Sequence, residues 1–166
     1  MDVLAGRLRD AGTALLGLRG ALVAGEPWPL SEHWGTEPEA DWGPREVLAH
    51  VNEMGPYWTD QLDAVIAEDP ATMVPFGRVA TDPERLARIG ADRVKPVDQL
   101  LDEIQVGLTR AATFVTNLAA ADGERMGLHP RLGELAVRAA VERFLVTHLE
   151  DHVTQLHEIL ARRATA

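Results

Sequence analysis

The 166-residue chain contains no cysteine. That absence removes disulfides, thiolate nucleophiles and zinc–thiolate sites together. Lysine is nearly missing too, since of 16 basic residues only Lys95 is a lysine. Basic runs are absent: Arg162 and Arg163 form only a doublet, and 26 acidic residues bring the net charge to −10. Phosphate recognition rests on clustered cations, so no nucleic-acid partner is expected. Long hydrophobic runs are lacking as well. The longest candidate, Ala14 to Ala24, is interrupted by Gly17, Arg19 and Gly20, and no membrane span is expected. Met1-Asp2-Val3-Leu4 opens with an acid and runs straight into helical periodicity, which does not read as a signal peptide. A cytoplasmic location is the expectation. Convincing strand alternation, a G-x-S-x-G elbow, a P-loop and a G-x-G-x-x-G loop are all missing.

What the chain does have is helical period in four long segments. At this length it makes one core rather than two ordinary domains, so residues 1–166 are read as a single domain. The first segment runs from about Asp2 to Val23, with Val3, Leu4, Leu8, Ala11, Leu15, Leu18 and Leu22 as its stripe. The second opens at Pro44, a residue suited to a first helical turn, and continues through Val47, Val51, Met54, Trp58, Leu62 and Val65. Gly55-Pro56 inside it is expected to kink or loosen the helix. The third runs from about Val97 to Ala121, and the fourth from near Gly133 to about Arg162. The pattern predicts an all-α protein, a four-helix bundle with long connections at 25–43 and 68–96. A short helix from Asp82 to Ile89 is expected inside the second connection. Connections this long can cross a bundle end, so up-down-up-down order is not required. A homodimer through an exposed helix face is compatible with such a bundle.

Three histidines fall on faces that are otherwise apolar. The fourth segment's seam reads Val141, Leu145, His148, His152, Leu156 and Ile159. His148 and His152 are one turn apart and project from one side of the helix. His50 lies between Val47 and Met54 on the stripe of the second segment. Three imidazole nitrogens converging from two helices suit a divalent metal such as zinc, nickel or iron, with a position left open for water or substrate. Glu53, one turn after His50, and Asp151, beside His152, are candidates to orient the rings; Glu53 is also the candidate general base. A lone histidine on an apolar face is usually a hydrogen-bonded core residue, and an HxxxH pair arises by chance. Burying several unpartnered imidazoles, however, costs about 1–3 kcal/mol for each unsatisfied group, which a shared metal removes.

The remaining groups carry two readings each. Trp28, Trp34, Trp42 and Trp58 either wall an apolar pocket above a metal or close the open end of a bundle. Arg143 either clamps a carboxylate or pairs on the surface with Glu142 or Glu150. His157 reads as solvated, Glu150 likewise, and His33 and His129 as surface-loop histidines.

The segment Trp42-Gly43-Pro44-Arg45-Glu46-Val47-Leu48-Ala49-His50 resembles the second-helix signature of the DinB/YfiT-like superfamily of four-helix metal-binding proteins. His148-Leu149-Glu150-Asp151-His152 with Gln155-Leu156 is similar to that family's last-helix motif. His129-Pro130-Arg131-Leu132-Gly133-Glu134-Leu135 resembles the entry to that helix. The resemblance covers nearly the whole chain in helix order and length. It implies a bundle with one metal held by His50, His148 and His152. Members of known activity include thiol S-transferases that use bacillithiol or mycothiol, and mycothiol-dependent maleylpyruvate isomerase. In the isomerases one last-helix ligand is a glutamate where this chain has His148, which separates it from them. The function implied is transfer from a low-molecular-weight thiol cosubstrate to a small-molecule electrophile, with the metal as Lewis acid. A hydrolase is the variant within that class, and a stress-associated scaffold with a structural metal or none is the rival from another.

Overall fold

The computed structural model describes residues 1–36 and 38–165. Four helices form the bundle: α1 (Asp2–Gly17), α3 (Pro44–Ala67), α5 (Val97–Asn117) and a final helix built from α7 (Val137–Ala140), a π-helical stretch (Val141–Thr147) and α8 (His148–Ala164). The smaller helices are α2 (Arg19–Ala24), α4 (Pro83–Asp92) and α6 (Ala120–Gly123). Among the described residues no helix is long and apolar enough to cross a membrane.

α1 packs against α5 and the final helix, and α3 packs against the same two. The first two long helices are therefore diagonal, and the 25–43 connection must cross one end of the bundle to join them. Helix order is not the simple up-down-up-down arrangement. Leu8, Leu15, Leu48, Met54, Leu62, Leu100, Leu101, Ile104, Leu145 and Leu149 fill the space between the four helices. The four amphipathic stripes thus close on one another. Val3, expected on the first stripe, is instead 76% exposed.

Local chemistry sets the helix ends. Pro44 occupies the first turn of α3. The Asp82 carboxylate accepts from the Arg85 backbone N–H at 3.0 Å and starts α4 with Pro83 behind it. The Arg125 guanidinium donates to the carbonyls of Val65, Ile66 and Glu68 and so closes the C-terminus of α3. α3 runs unbroken through Gly55-Pro56. There Gly55 and Pro56 pack against Gly107 of α5.

Three boundaries differ from expectation. The first helix is interrupted at Leu18, where a tight backbone bond to Leu15 replaces the regular one between Gly17 and Gly20. The third ends at Asn117, and Ala120–Gly123 forms a separate turn after extended Leu118. The fourth begins at Val137 rather than near Gly133. Residues Gly133–Ala136 form a strand, β3, paired antiparallel with β2 (Met126–His129), and β1 (Val74–Pro75) lies parallel on the other side of β2. Gly133 at φ +72° makes the turn between β2 and β3. These strands are two to four residues long, too short to show period two in the sequence; β2 and β3 form a local hairpin, and β1 pairs with β2 across some fifty residues.

Candidate metal centre

His50 projects from α3 and His148 and His152 from the start of α8, two helices in direct contact. The three rings meet. His50 Nε2 lies 2.8 Å from His148 Nε2, and His152 Nε2 lies 3.2 Å from the same atom. Ring centroids are 4.6–5.1 Å apart and every pair is edge-on. A fourth group completes the cluster: Glu39, from a short 3₁₀ turn (Glu39–Asp41) in the crossing connection. Its Oε2 stands 3.5 Å from His148 Nε2 and 3.9 Å from His50 Nε2. One ligand atom from each of the four residues lies within 4.8 Å of the others.

The donor set suits a divalent cation. Nitrogen ligands at about 2.0–2.1 Å from a tetrahedral ion stand about 3.3 Å apart, close to the spacings here. The hydrogen bonds behind the rings point the same way. Gln155 donates its amide N–H groups to the carbonyls of Glu39 at 2.8 Å and of Ala40 and Trp42 at 3.3 Å. Its Oε1 is therefore the atom facing His152 Nδ1 at 3.0 Å, and it can only accept. The proton of His152 sits on Nδ1 and its Nε2 lone pair faces the cluster. With that lone pair fixed, a single proton cannot satisfy both Nε2–Nε2 contacts made by His148. One shared cation can.

Desolvation favours the neutral rings, the form a metal takes. His50 and His152 are 3% and 4% exposed, and the His148 side chain is 32% exposed. Desolvation, then the charges of neighbouring His152 and Arg85, pulls the His148 pKa down to about 3. His50 is held well below the usual histidine range, first by burial and then by His152, Arg85 and His148. His152 is lowered by burial against the opposing pull of Gln155, Glu39 and Asp151.

Two hollows adjoin the cluster. One, of about 150 Å³, is walled by Trp58, Phe144, Arg78, Val79, Ala80 and Arg85, with Glu39, His50 and His148 at its base. The other, of about 310 Å³, lies beyond Glu39 and His148 and is bordered by Asp151, His152, Gln155 and Glu158. A larger groove of about 500 Å³ between α3 and α5 contains no histidine. Arg85 links the pieces: its guanidinium pairs with Glu39, donates to the Ala80 carbonyl at 2.9 Å and lies 3.3 Å from His50 Nδ1.

Glu53 lies behind His50, not in the hollow. One of its oxygens is 3.8 Å from His50 Nδ1, the other pairs with Arg78, and burial pushes its carboxyl pKa up against the pull of that arginine. Asp151 is exposed and makes no hydrogen bond to His152; Gln155 holds that ring instead.

The tryptophans divide. Trp58 lines the first hollow, stacked on Phe144 at 4.0 Å. Trp42 backs His50 edge-on at 5.6 Å. Trp28 donates to the Leu22 carbonyl at 2.8 Å, and Trp34 packs on Gly90 and Arg93 away from the cluster.

His157 and His33 are exposed, as expected. His129 is not a surface residue: it is 5% exposed on β2, stacked on Trp58 and Phe144, with Nδ1 accepting from the backbone of Arg131 and Leu132. Arg143 makes no ion pair among the described residues, and Glu142 and Glu150 both pair with Arg7. Glu150 is accordingly half-buried in an ion pair rather than freely solvated.

Glu39 and Gln155 were missed as parts of the site. Glu39 carries no sequence signal, being one of several acids in an irregular connection. Gln155 stands three residues after His152, a spacing that faces it onto the same ring.

Fold and cluster together define a four-helix bundle with a histidine–carboxylate group able to hold a divalent metal. No protein-family model matches the chain, and no curated protein is similar to it in sequence. Among solved structures the chain is similar to YfiT from Bacillus subtilis, described as a probable metal-dependent hydrolase with an unusual four-helix bundle topology. The TM-score is 0.63 at 16% identity, over 95% of this chain and 87% of that one. The likeness carries the fold, the one expected from the DinB/YfiT-like resemblance.

Proposed function

We propose that the protein is a divalent-metal-dependent hydrolase of a small electrophilic substrate, with His50, His148 and His152 as ligands and Glu39 as the carboxylate beside them. The observation that carries this reading is the convergence of three neutral Nε2 atoms next to a hollow. A cation held there supplies Lewis-acid chemistry, polarising an electrophile and easing ionisation of the nucleophile. Gln155 fixes the tautomer of His152 and ties it to the connection bearing Glu39. Arg85 engages one oxygen of Glu39 and leaves Oε2 directed at the cluster, where it can take a proton from the attacking group. Trp58 and Phe144 exclude water from one side. The description of YfiT as a probable metal-dependent hydrolase supports the choice of reaction, as does the first hollow, which is small beside ordinary ligand pockets of about 300–1,000 Å³.

A second reading is S-transfer from a low-molecular-weight thiol such as mycothiol. It draws support from the second hollow, which offers a cosubstrate a separate approach to Glu39 and His148.

Metal content of untagged protein, compared with a His50→Ala/His148→Ala double variant, tests the centre; equal content in both ends the three-ligand model. Chelation should abolish turnover and leave helicity intact, since the apolar core is continuous without the site. A scaffold with a structural metal would instead lose helicity with the metal. Assays on small esters and amides, with and without thiol, separate the two chemistries, because hydrolysis consumes no thiol.

A further inference from the structure

Two guanidinium groups face the smaller hollow, and they differ in how much of their hydrogen-bonding capacity the protein uses. Arg85 is occupied by Glu39 and the Ala80 carbonyl. Arg78 pairs with Glu53 through Nη2 alone. Its Nε and Nη1 donate to nothing among the described residues, and the side chain lines the hollow. The side chain is nonetheless held in place. Its guanidinium lies 3.6 Å above the Tyr57 ring, and the preceding Gly77, at φ +78°, donates its backbone N–H to Gln61 at 2.8 Å. A guanidinium with N–H groups to spare, held beside a reactive centre, suits an anionic oxygen.

We propose that the hollow takes a small substrate bearing a carboxylate, held by a free N–H of the Arg78 guanidinium, with its apolar part against Trp58 and Phe144. The identification of a substrate class rests on the catalytic reading of the site. The apolar wall argues for an organic acid over a bare inorganic anion.

Calorimetric titration of the folded, metal-free protein with benzoate and with neutral benzamide tests this separately from the metal. Benzoate should bind about tenfold or more tightly than benzamide, the factor one charge-assisted hydrogen bond supplies. Arg78→Met should erase that preference, and Arg78→Lys should keep part of it. Because Arg78→Met strands Glu53, an Arg78→Met/Glu53→Gln variant serves where the single one does not fold, and it should also show no preference. Equal binding of the two probes to the wild-type protein overturns the proposal, as does a preference that survives loss of Arg78. Inorganic phosphate competing as well as benzoate would overturn the assignment to carboxylates. A charge preference in protein that takes up no metal supports the anion site while refuting the metal-dependent mechanism, so the two failures are distinguishable.

Discussion

Replacing Gln155 by leucine probes the centre without touching a ligand. The amide holds His152 Nδ1 at 3.0 Å and grips the carbonyls of Glu39, Ala40 and Trp42, so one substitution frees both the ring and the connection carrying Glu39. Losing such a supporting hydrogen bond lowers metal affinity about 10–100-fold, or about 1.4–2.7 kcal/mol. The half-buried carbonyls regain water, so the fold should survive, with a modest fall in melting temperature. Competition with a chromogenic zinc chelator measures the affinity, and circular dichroism checks the helices. Gln155→Glu is the informative companion. It keeps an acceptor for His152 Nδ1–H but loses the amide donors, and it should retain most of the affinity. If the leucine variant binds zinc as tightly as the wild type, Gln155 does not orient His152 and the assignment of its tautomer is wrong.

Three further outcomes follow from the same geometry. In metal-free protein the buried imidazoles bind fewer protons folded than unfolded. Their stability contribution is therefore full above the unfolded pKa of about 6.5 and is lost as pH falls toward about 3 for His148. Urea midpoints should decline from pH 7.5 to 5.5, by at most about 1.4 kcal/mol per pH unit for each ring. Glu53, its pKa raised by burial, works in the opposite sense and flattens the fall at lower pH; a flat profile throughout would mean that the rings are not desolvated. Glu39→Gln should cut turnover by about 10²–10⁴-fold, as loss of a general base does, while three imidazoles still retain metal; unchanged kcat with full metal content removes Glu39 from the chemistry. Gly77→Ala should cost about 2 kcal/mol or more, because its φ is +78° and the new methyl would stand 2.6 Å from His129 Cδ2; an unchanged thermal midpoint would refute the packing described there.

Helical periodicity alone placed the four long helices, the apolar stripes and the inward face shared by His50, His148 and His152. It can do so because burial of one face repeats every 3.6 residues along the chain, so most side chains at stripe positions face the core, Val3 at the helix start being an exception. The rest depended on contacts distant in sequence. β1, β2 and β3 are too short to show alternation, and β1 exists only because the loop after α3 pairs with β2 at the entry to the final helix. That pairing brings Arg78 beside the cluster and buries His129, which reads as a loop residue in the linear chain. Glu39 reaches the histidines because diagonal packing of α1 and α3 forces their connection across the bundle end. Gln155 then fastens that connection to α8. Local pattern thus determined which residues face inward, while the crossing of an irregular segment, set by the global packing of helices, decided which charged groups meet them.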